Sequence, residues 1–253
     1  MRPCDVDTYL ARIGLARPSA PNVAALARLQ MGHLLSVPFE NLDIPRGRAL
    51  SLDPADLFDK IVVRRRGGFC YELNHLFSLL LGALGFEVEL VSARVYGASG
   101  EPGPPFDHLA LRVRCNEPWL VDVGFGDGFR EPLRWEIDRV QTQSFRDFRL
   151  ESGDSGVLLS GRAPGSQWEP VYVVDPTSRS IREFEPMFLY HQTSPASPFP
   201  HKRVCTRATP DGRISLLNDR RVEISGPERT ESPVDEADRA RVLLADFGIR
   251  LDP

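Results

Sequence analysis

"RRRGGFCYELNHLF" runs from Arg64 to Phe77. Three cations and two glycines precede a cysteine, and an apolar run follows it. Leu73, Leu76, Phe77, Leu80 and Leu84 fall at i, i+3, i+4, i+7 and i+11. This spacing predicts a helix that starts near Cys70, buries one stripe and ends at Gly85 in the left-handed conformation. A cysteine at a helix start faces unsatisfied N–H groups and the positive end of the dipole. Thiols so placed, beside cations, generally ionise in the range of roughly pH 3.5–7.5. The same N–H groups can hold a developing oxyanion. Gly67 and Gly68 let the chain turn sharply and let a substrate come close. A buried cysteine that only fills space at a helix start is the plainer alternative, and this motif alone does not decide between the two.

Before this stretch the period is helical. "PNVAALARLQMGHLLSVPF" places Val23, Leu26 and Leu29 on one face, and "SLDPADLFDKIVV" opens with a cap signal and Pro54 in the first turn. Residues 1–85 therefore read as a helical bundle that carries the cysteine. Beyond it the period changes. "EVELVSARVYG", "HLALRVR", "PWLVDVGF", "FRDFRLES", "GVLLSG" and "EPVYVVD" are short alternating or β-branched runs, expected to form an antiparallel sheet or barrel over residues 86–190. After the Pro/Ser-rich "TSPASPFP", the runs "KRVCTRAT" and "RISLLN" flank a turn at "PDG" and precede a helix in "VDEADRARVLLADFGI". Residues 191–253 thus read as a small α/β cap.

Length and composition exclude several classes. The chain has 253 residues, 42% hydrophobic and 26% charged, which suits a soluble globular protein. No apolar run approaches the roughly 20 residues of a membrane span. The N-terminus lacks the apolar block of a signal peptide, so a cytoplasmic protein is expected. A net charge of −4 gives no reason to expect a nucleic-acid partner. Cys4, Cys70, Cys115 and Cys205 are scattered and fit reduced thiols rather than a metal site or a disulfide framework.

A thiolate nucleophile needs a base, and the base needs an orienting group. His75 lies five residues past Cys70, about 140° around a helix, and is expected to be a surface or packing residue. His33, in "MGHLLSVPF", reads as a core histidine, and His191 and His201 as solvated. His108 is different, because it opens the strand "HLALRVR", which should fold across "CNE" against "PWLVDVGF". A hairpin centred on Cys115 would set His108 and Asp122 directly opposite, on one face. A one-residue slip would separate them. Asp122 stands between Val121 and Val123, so it is expected to be partly buried and to need a partner. Cys70 as nucleophile, His108 as base and Asp122 as orienter make a Cys–His–Asp set. The residues alone carry the reading to thiol-dependent acyl transfer or hydrolysis.

"RGGFCYELN", "FDHLALRV" and "VDVGFG" resemble the three catalytic blocks of the arylamine N-acetyltransferases. "VPFENLDI" and "YHQTSPASPF" resemble further blocks of that family, in order, from about Val37 to Phe199, and "ISGPERTE…LLADFGIRL" resembles its C-terminal helix region. The resemblance implies an α+β fold with a cysteine-protease-like core: an N-terminal helical bundle, a central antiparallel β-barrel carrying His108 and Asp122, and a C-terminal α/β lid. It implies a ping-pong reaction without metal, in which Cys70 takes acetyl from acetyl-CoA and passes it to an arylamine or arylhydrazine. Matched by position, Phe39, Val95 and Phe125 would line the acceptor pocket. Phe125, Gly126 and Tyr190 would lie near the CoA pantetheine, and Glu40 and Arg66 would form a charged pair that props the site.

Each of these has a plainer reading. Phe39 and Phe125 can be core, Val95 a strand residue, Gly126 a turn, Tyr190 an interface tyrosine, and Glu40–Arg66 a weak surface pair. Two features depart from the family pattern. Asp127 puts a carboxylate near a polyanionic cofactor, which repels it unless it points away, and the chain ends at Pro253, which implies a short cap. A papain-like or transglutaminase-like hydrolase with the same triad, an amide synthase closing a polyketide chain, and a non-catalytic binding module are the rivals. The physiological acceptor, the donor's acyl preference, a role in xenobiotic metabolism or biosynthesis, and homodimer formation stay open.

Overall fold

Helix α1 (Pro3–Arg12) opens the computed structural model, which describes residues 2–97 and 99–251. The apolar period does not announce this helix, yet Val6, Tyr9 and Leu10 bury its inner face. Helix α2 (Val23–Ser36) begins at Asn22, whose side chain accepts the Ala25 N–H at 2.9 Å. Strand β1 (Phe39–Glu40) follows. Helix α3 (Pro54–Phe58) has the cap and proline its sequence requires, then widens into a π-helical turn over Asp59–Val63. That turn carries Lys60 inward, where it is buried.

Helix α4 (Cys70–Ala83) begins at the cysteine and leaves through Gly85, at φ +89°. It departs from expectation in one respect: every residue from Cys70 to Ser78 is buried rather than one stripe, and only its last turn is exposed. Tyr71, Glu72, Asn74, His75 and Ser78 are buried with the leucines. The cause is position, since helices α1 and α3 and strands β2 and β3 all pack against it.

Strands β2 (Glu87–Val95), β3 (His108–Cys115), β4 (Glu117–Val121), β5 (Leu133–Arg134), β6 (Gln141–Thr142), β7 (Asp147–Gly153), β8 (Gly156–Arg162) and β9 (Glu169–Arg179) form one antiparallel sheet. Its order is β5-β4-β3-β2-β9-β8-β7-β6, and it curls into a nearly closed barrel. Alternation sorts the residues of β3. Ala110 points into the barrel with Val91, Leu120 and Tyr172, while Leu109, Leu111 and Val113 pack toward α4.

Helix α5 (Glu185–Thr193) leads to strands β10 (Val204–Thr209), β11 (Gly212–Leu217), β12 (Arg220–Ser225) and β13 (Glu228–Pro233), and to helix α6 (Glu236–Phe247). Gly248 ends α6 at φ +68°. The second sheet runs β1-β10-β11-β12-β13, so β1 from the helical part is its edge strand, with Phe39 opposite Thr206. Strand β13 escapes a hydrophobic reading because every residue in it is exposed. The chain end at Pro253 lies outside the described residues. No described helix is long and apolar enough to cross a membrane.

Candidate active site

Cys70 occupies the first position of α4, His108 the first of β3, and Asp122 the position after β4; all three are buried. The β3–β4 turn is centred on Asn116, at φ +63°, not on Cys115. Leu111 faces Val121 and Arg112 faces Leu120, so Asp122 lies level with Ala110 rather than opposite His108. The expected register is corrected by this, but moving the centre by a whole residue preserves parity. His108 and Asp122 therefore stay on one face as diagonal neighbours. His108 Nε2 donates to Asp122 Oδ2 at 2.7 Å.

Asp122 is satisfied by more than the imidazole. Asn74 Nδ2 donates to its Oδ1 at 2.8 Å, the Gly124 N–H to the same oxygen at 2.8 Å, and Tyr172 OH to Oδ2 at 3.2 Å. Asn74 also donates to Leu109 O at 2.7 Å and accepts the Val123 N–H at 2.9 Å. One asparagine thus ties the helix of Cys70 to β3 and to the segment that follows β4. Neither Asn74 nor Tyr172 emerges from the sequence. The signal for Asn74 was its place four residues after Cys70, on the same helix face.

Burial pulls the His108 pKa down, but the charge and hydrogen bond of Asp122, with the neighbouring Cys70, push it up to about 10. The imidazole beside Cys70 is therefore an imidazolium at neutral pH.

The other histidines divide. His33 is a core residue that accepts from Tyr9 OH at 2.9 Å; burial, helped by the Arg12 charge, pushes it to about 3. His75 packs in the interior, and burial pushes it to about 4. His201 is exposed, but His191 is not solvated as expected. Its Nδ1 lies 3.1 Å from Ser197 Oγ, its Nε2 lies 3.2 Å from Asp107 Oδ1, and its ring rests on Tyr71 and Phe199. Helix α5 folds back over α4, which covers it.

Glu40 and Arg66 are buried rather than a surface pair. Arg66 Nη2 is 2.8 Å from Glu40 and 2.9 Å from Asp43. Lys60 sits 2.8 Å from Glu72 and 3.6 Å from Asp43. Glu72 in turn accepts the Phe69 N–H at 3.1 Å, capping α4 just before Cys70. The charged network therefore anchors the Gly67–Gly68 turn.

Phe125 stands edge-on to His108, with ring centroids 5.4 Å apart, and also meets Tyr172. Phe39 is half-buried and faces Gly126, which has φ +85°. A Cβ on Gly126 would lie 3.6 Å from the Phe39 ring and 3.4 Å from Thr206. Val95 ends β2 at the rim of the barrel core. Tyr190, on α5, is 37% exposed. Asp127 points outward and pairs with Arg213. Among the described residues no group of three or more metal-ligating side chains comes together.

Residues 22–253 match the model of the N-acetyltransferase family. The chain belongs to the arylamine N-acetyltransferase family. The Arylamine N-acetyltransferase of Escherichia coli (strain K12) is 34% identical over 214 residues, covering 83% of this chain and 75% of that one. The arylamine N-acetyltransferase structure from Salmonella typhimurium superposes with a TM-score of 0.93 at 28% identity, covering 100% of this chain and 94% of that one. The Mycobacterium marinum arylamine N-acetyltransferase, solved in complex with CoA, gives a TM-score of 0.89 at 29% identity, covering 96% and 92%. The α+β architecture and the Cys–His–Asp core are those of the family, and the chain is an acetyltransferase.

Proposed function

We propose that this enzyme carries acetyl from acetyl-CoA to an aromatic amine or hydrazine in two half-reactions through Cys70. In the first, Cys70 Sγ attacks the thioester carbonyl and the C–S bond to CoA breaks. CoA leaves as its thiol, taking the proton from His108. N–H groups in the first turn of α4 offer charge to the oxyanion in between. Acetylation removes the sulfur's charge, one of the contacts that hold the proton on His108. In the second half-reaction the amine attacks the acetyl-cysteine, His108 takes the amine proton, and the amide departs as the Cys70 thiolate re-forms.

The contact between Cys70 and an imidazolium locked by Asp122 carries this reading. Phe125, Phe39 and Val95 would wall the acceptor, because a flat apolar amine needs aromatic or branched neighbours and few charges. Phe125, Gly126 and Tyr190 would meet the pantetheine. The chain would divide into a bundle over residues 1–85, a barrel over 86–190 and a lid over 191–253, working in the cytoplasm.

Intact-protein mass spectrometry after brief exposure to acetyl-CoA without acceptor tests the reading. One acetyl group, mapped to Cys70 and discharged by an added arylamine, is expected. Acetyl-CoA consumption with no label on Cys70 would overturn it.

A further inference from the structure

The Gly124–Gly128 loop joins the catalytic centre to a cavity of about 560 Å³. At one end Gly124 is pressed against the nucleophile, since a Cβ there would lie 2.7 Å from Cys70 Cα. At the other end Asp127 and Gly128 line the cavity with Arg130, Phe145, Arg146 and Arg213. In between lies a slot of about 20 Å³ where Gly126 faces Phe39 and Thr206, and Gly128, Arg130 and Arg213 border both spaces. The slot is nearly shut, and Cys70 itself is 4% exposed.

The three arginines are not equivalent. Arg130 donates to Thr209 O at 2.8 Å, to Pro210 O at 3.1 Å and to Gly212 O, and it stacks 4.3 Å over Phe145. It is a strut between the loop and the β10–β11 turn. Arg146 lies over Phe148, 3.6 Å from Glu169. Arg213 is held by a single acid, Asp127, with Nε at 3.0 Å and Nη2 at 2.8 Å from Oδ1, and it donates to Thr206 Oγ1 at 3.1 Å.

The Arg213 side chain is 13% exposed and the Asp127 side chain 72%. The cation is therefore fixed in the wall while its counter-ion stands at the mouth. Burial works against the Arg213 charge and Asp127 supports it. An anion arriving from solvent meets an arginine already desolvated and aimed, and has to displace one exposed carboxylate. Arginine takes phosphate through paired N–H bonds, and a phosphate carries at least the charge of the carboxylate it replaces.

We propose that Arg213 receives a phosphate group of the acyl donor, and that Asp127 is the resident counter-ion which that phosphate displaces. This rests on the reading of acetyl-CoA as donor. Asp127 then lowers the donor's affinity, because its bond to Arg213 must be broken.

Single-turnover acetylation of Cys70 with acetyl-CoA and with p-nitrophenyl acetate, an acyl donor without phosphate, tests this. Asp127→Asn should lower the half-saturating acetyl-CoA concentration by about threefold or more, and Arg213→Gln should raise it by about tenfold or more. In each variant the change for acetyl-CoA should exceed the change for p-nitrophenyl acetate by at least about threefold. Inorganic pyrophosphate should also compete against acetyl-CoA at least about threefold more tightly in Asp127→Asn, which decides the matter should Arg213→Gln not fold. An unaltered acetyl-CoA dependence in Asp127→Asn overturns the inference, as does an equal loss with both donors in Arg213→Gln. A wild type whose Cys70 is acetylated by p-nitrophenyl acetate but not by acetyl-CoA would remove the donor reading itself.

Discussion

Asp122 accepts from His108, Asn74, Tyr172 and the Gly124 N–H, and a carboxylate can serve all four because it is acceptor-only. Asp122→Asn keeps the shape but turns an NH2 toward one of these donors and removes the charge that holds the proton on His108. Acetylation of Cys70 should fall about 10³- to 10⁴-fold, the scale seen when a triad aspartate loses its charge. Single-turnover measurement with acetyl-CoA checks this, and a loss under about tenfold would falsify the orienting role. Cys70, His108 and Asp122 were legible because each announces itself through its neighbours in the chain: glycines and cations, a strand start, two valines. Asn74 and Tyr172 were not, since their worth lies in a partner 48 and 50 residues away. Asp107 and His191 escaped for the same reason, their contact depending on how α5 folds back.

Helix α4 and its Cys70 are placed by an ionic layer beneath the turn as much as by the leucines. Glu72 is fully buried; burial raises its carboxyl pKa even with Lys60 at 2.8 Å. The Lys60 pKa is raised as well, because burial pulls it down but the charges of Glu72, Glu40 and Asp43 outweigh that burial. Lys60→Met leaves Glu72 without its cation, so the carboxyl protonates or the α4 cap opens. Breaking one partner of a buried pair costs about 3–5 kcal/mol, whereas removing both charges costs much less. Urea unfolding should show that loss for Lys60→Met, with more than half restored in Lys60→Met/Glu72→Gln. Equal stability of the single and double variants would count against the pair. The helix itself was readable from its period. The π-helical turn that delivers Lys60 was not, because the apolar spacing of "DLFDKIVV" fits an α-helix equally well. The hairpin was readable in its parity but not in its centre. Nothing in "RCNEP" distinguishes a turn on Cys115 from one on Asn116 until Asn116 is seen to take the left-handed conformation that asparagine tolerates.

The molecule as a whole buries its histidines in opposite electrostatic settings, and this decides how it responds to acid. His33 and His75 are held neutral, with pKa values pushed from the ordinary 6.5 to about 3 and about 4. In the unfolded chain both regain the ordinary value. As pH falls below 6.5 the unfolded state binds two protons that the folded state refuses, and stability is lost. His108 has the opposite sign. Raised to about 10, it carries its proton in both states below pH 6.5. Its stabilising contribution is complete once the unfolded histidine is protonated, below about pH 6, and is lost progressively as pH rises from there toward 10, so below pH 6 it cannot offset the acid loss. Each proton taken up by the unfolded state alone steepens the dependence by about 1.4 kcal/mol per pH unit, so two give up to about 2.7. Urea unfolding at pH 6, 5.5 and 5 should show stability falling at a slope approaching that of two protons, before the carboxylates titrate. His33→Gln removes one of the two and should roughly halve the slope, whatever it does to stability at pH 7. A flat profile between pH 6.5 and 5, or an unchanged slope in His33→Gln, would mean that these histidines take up protons inside the fold after all.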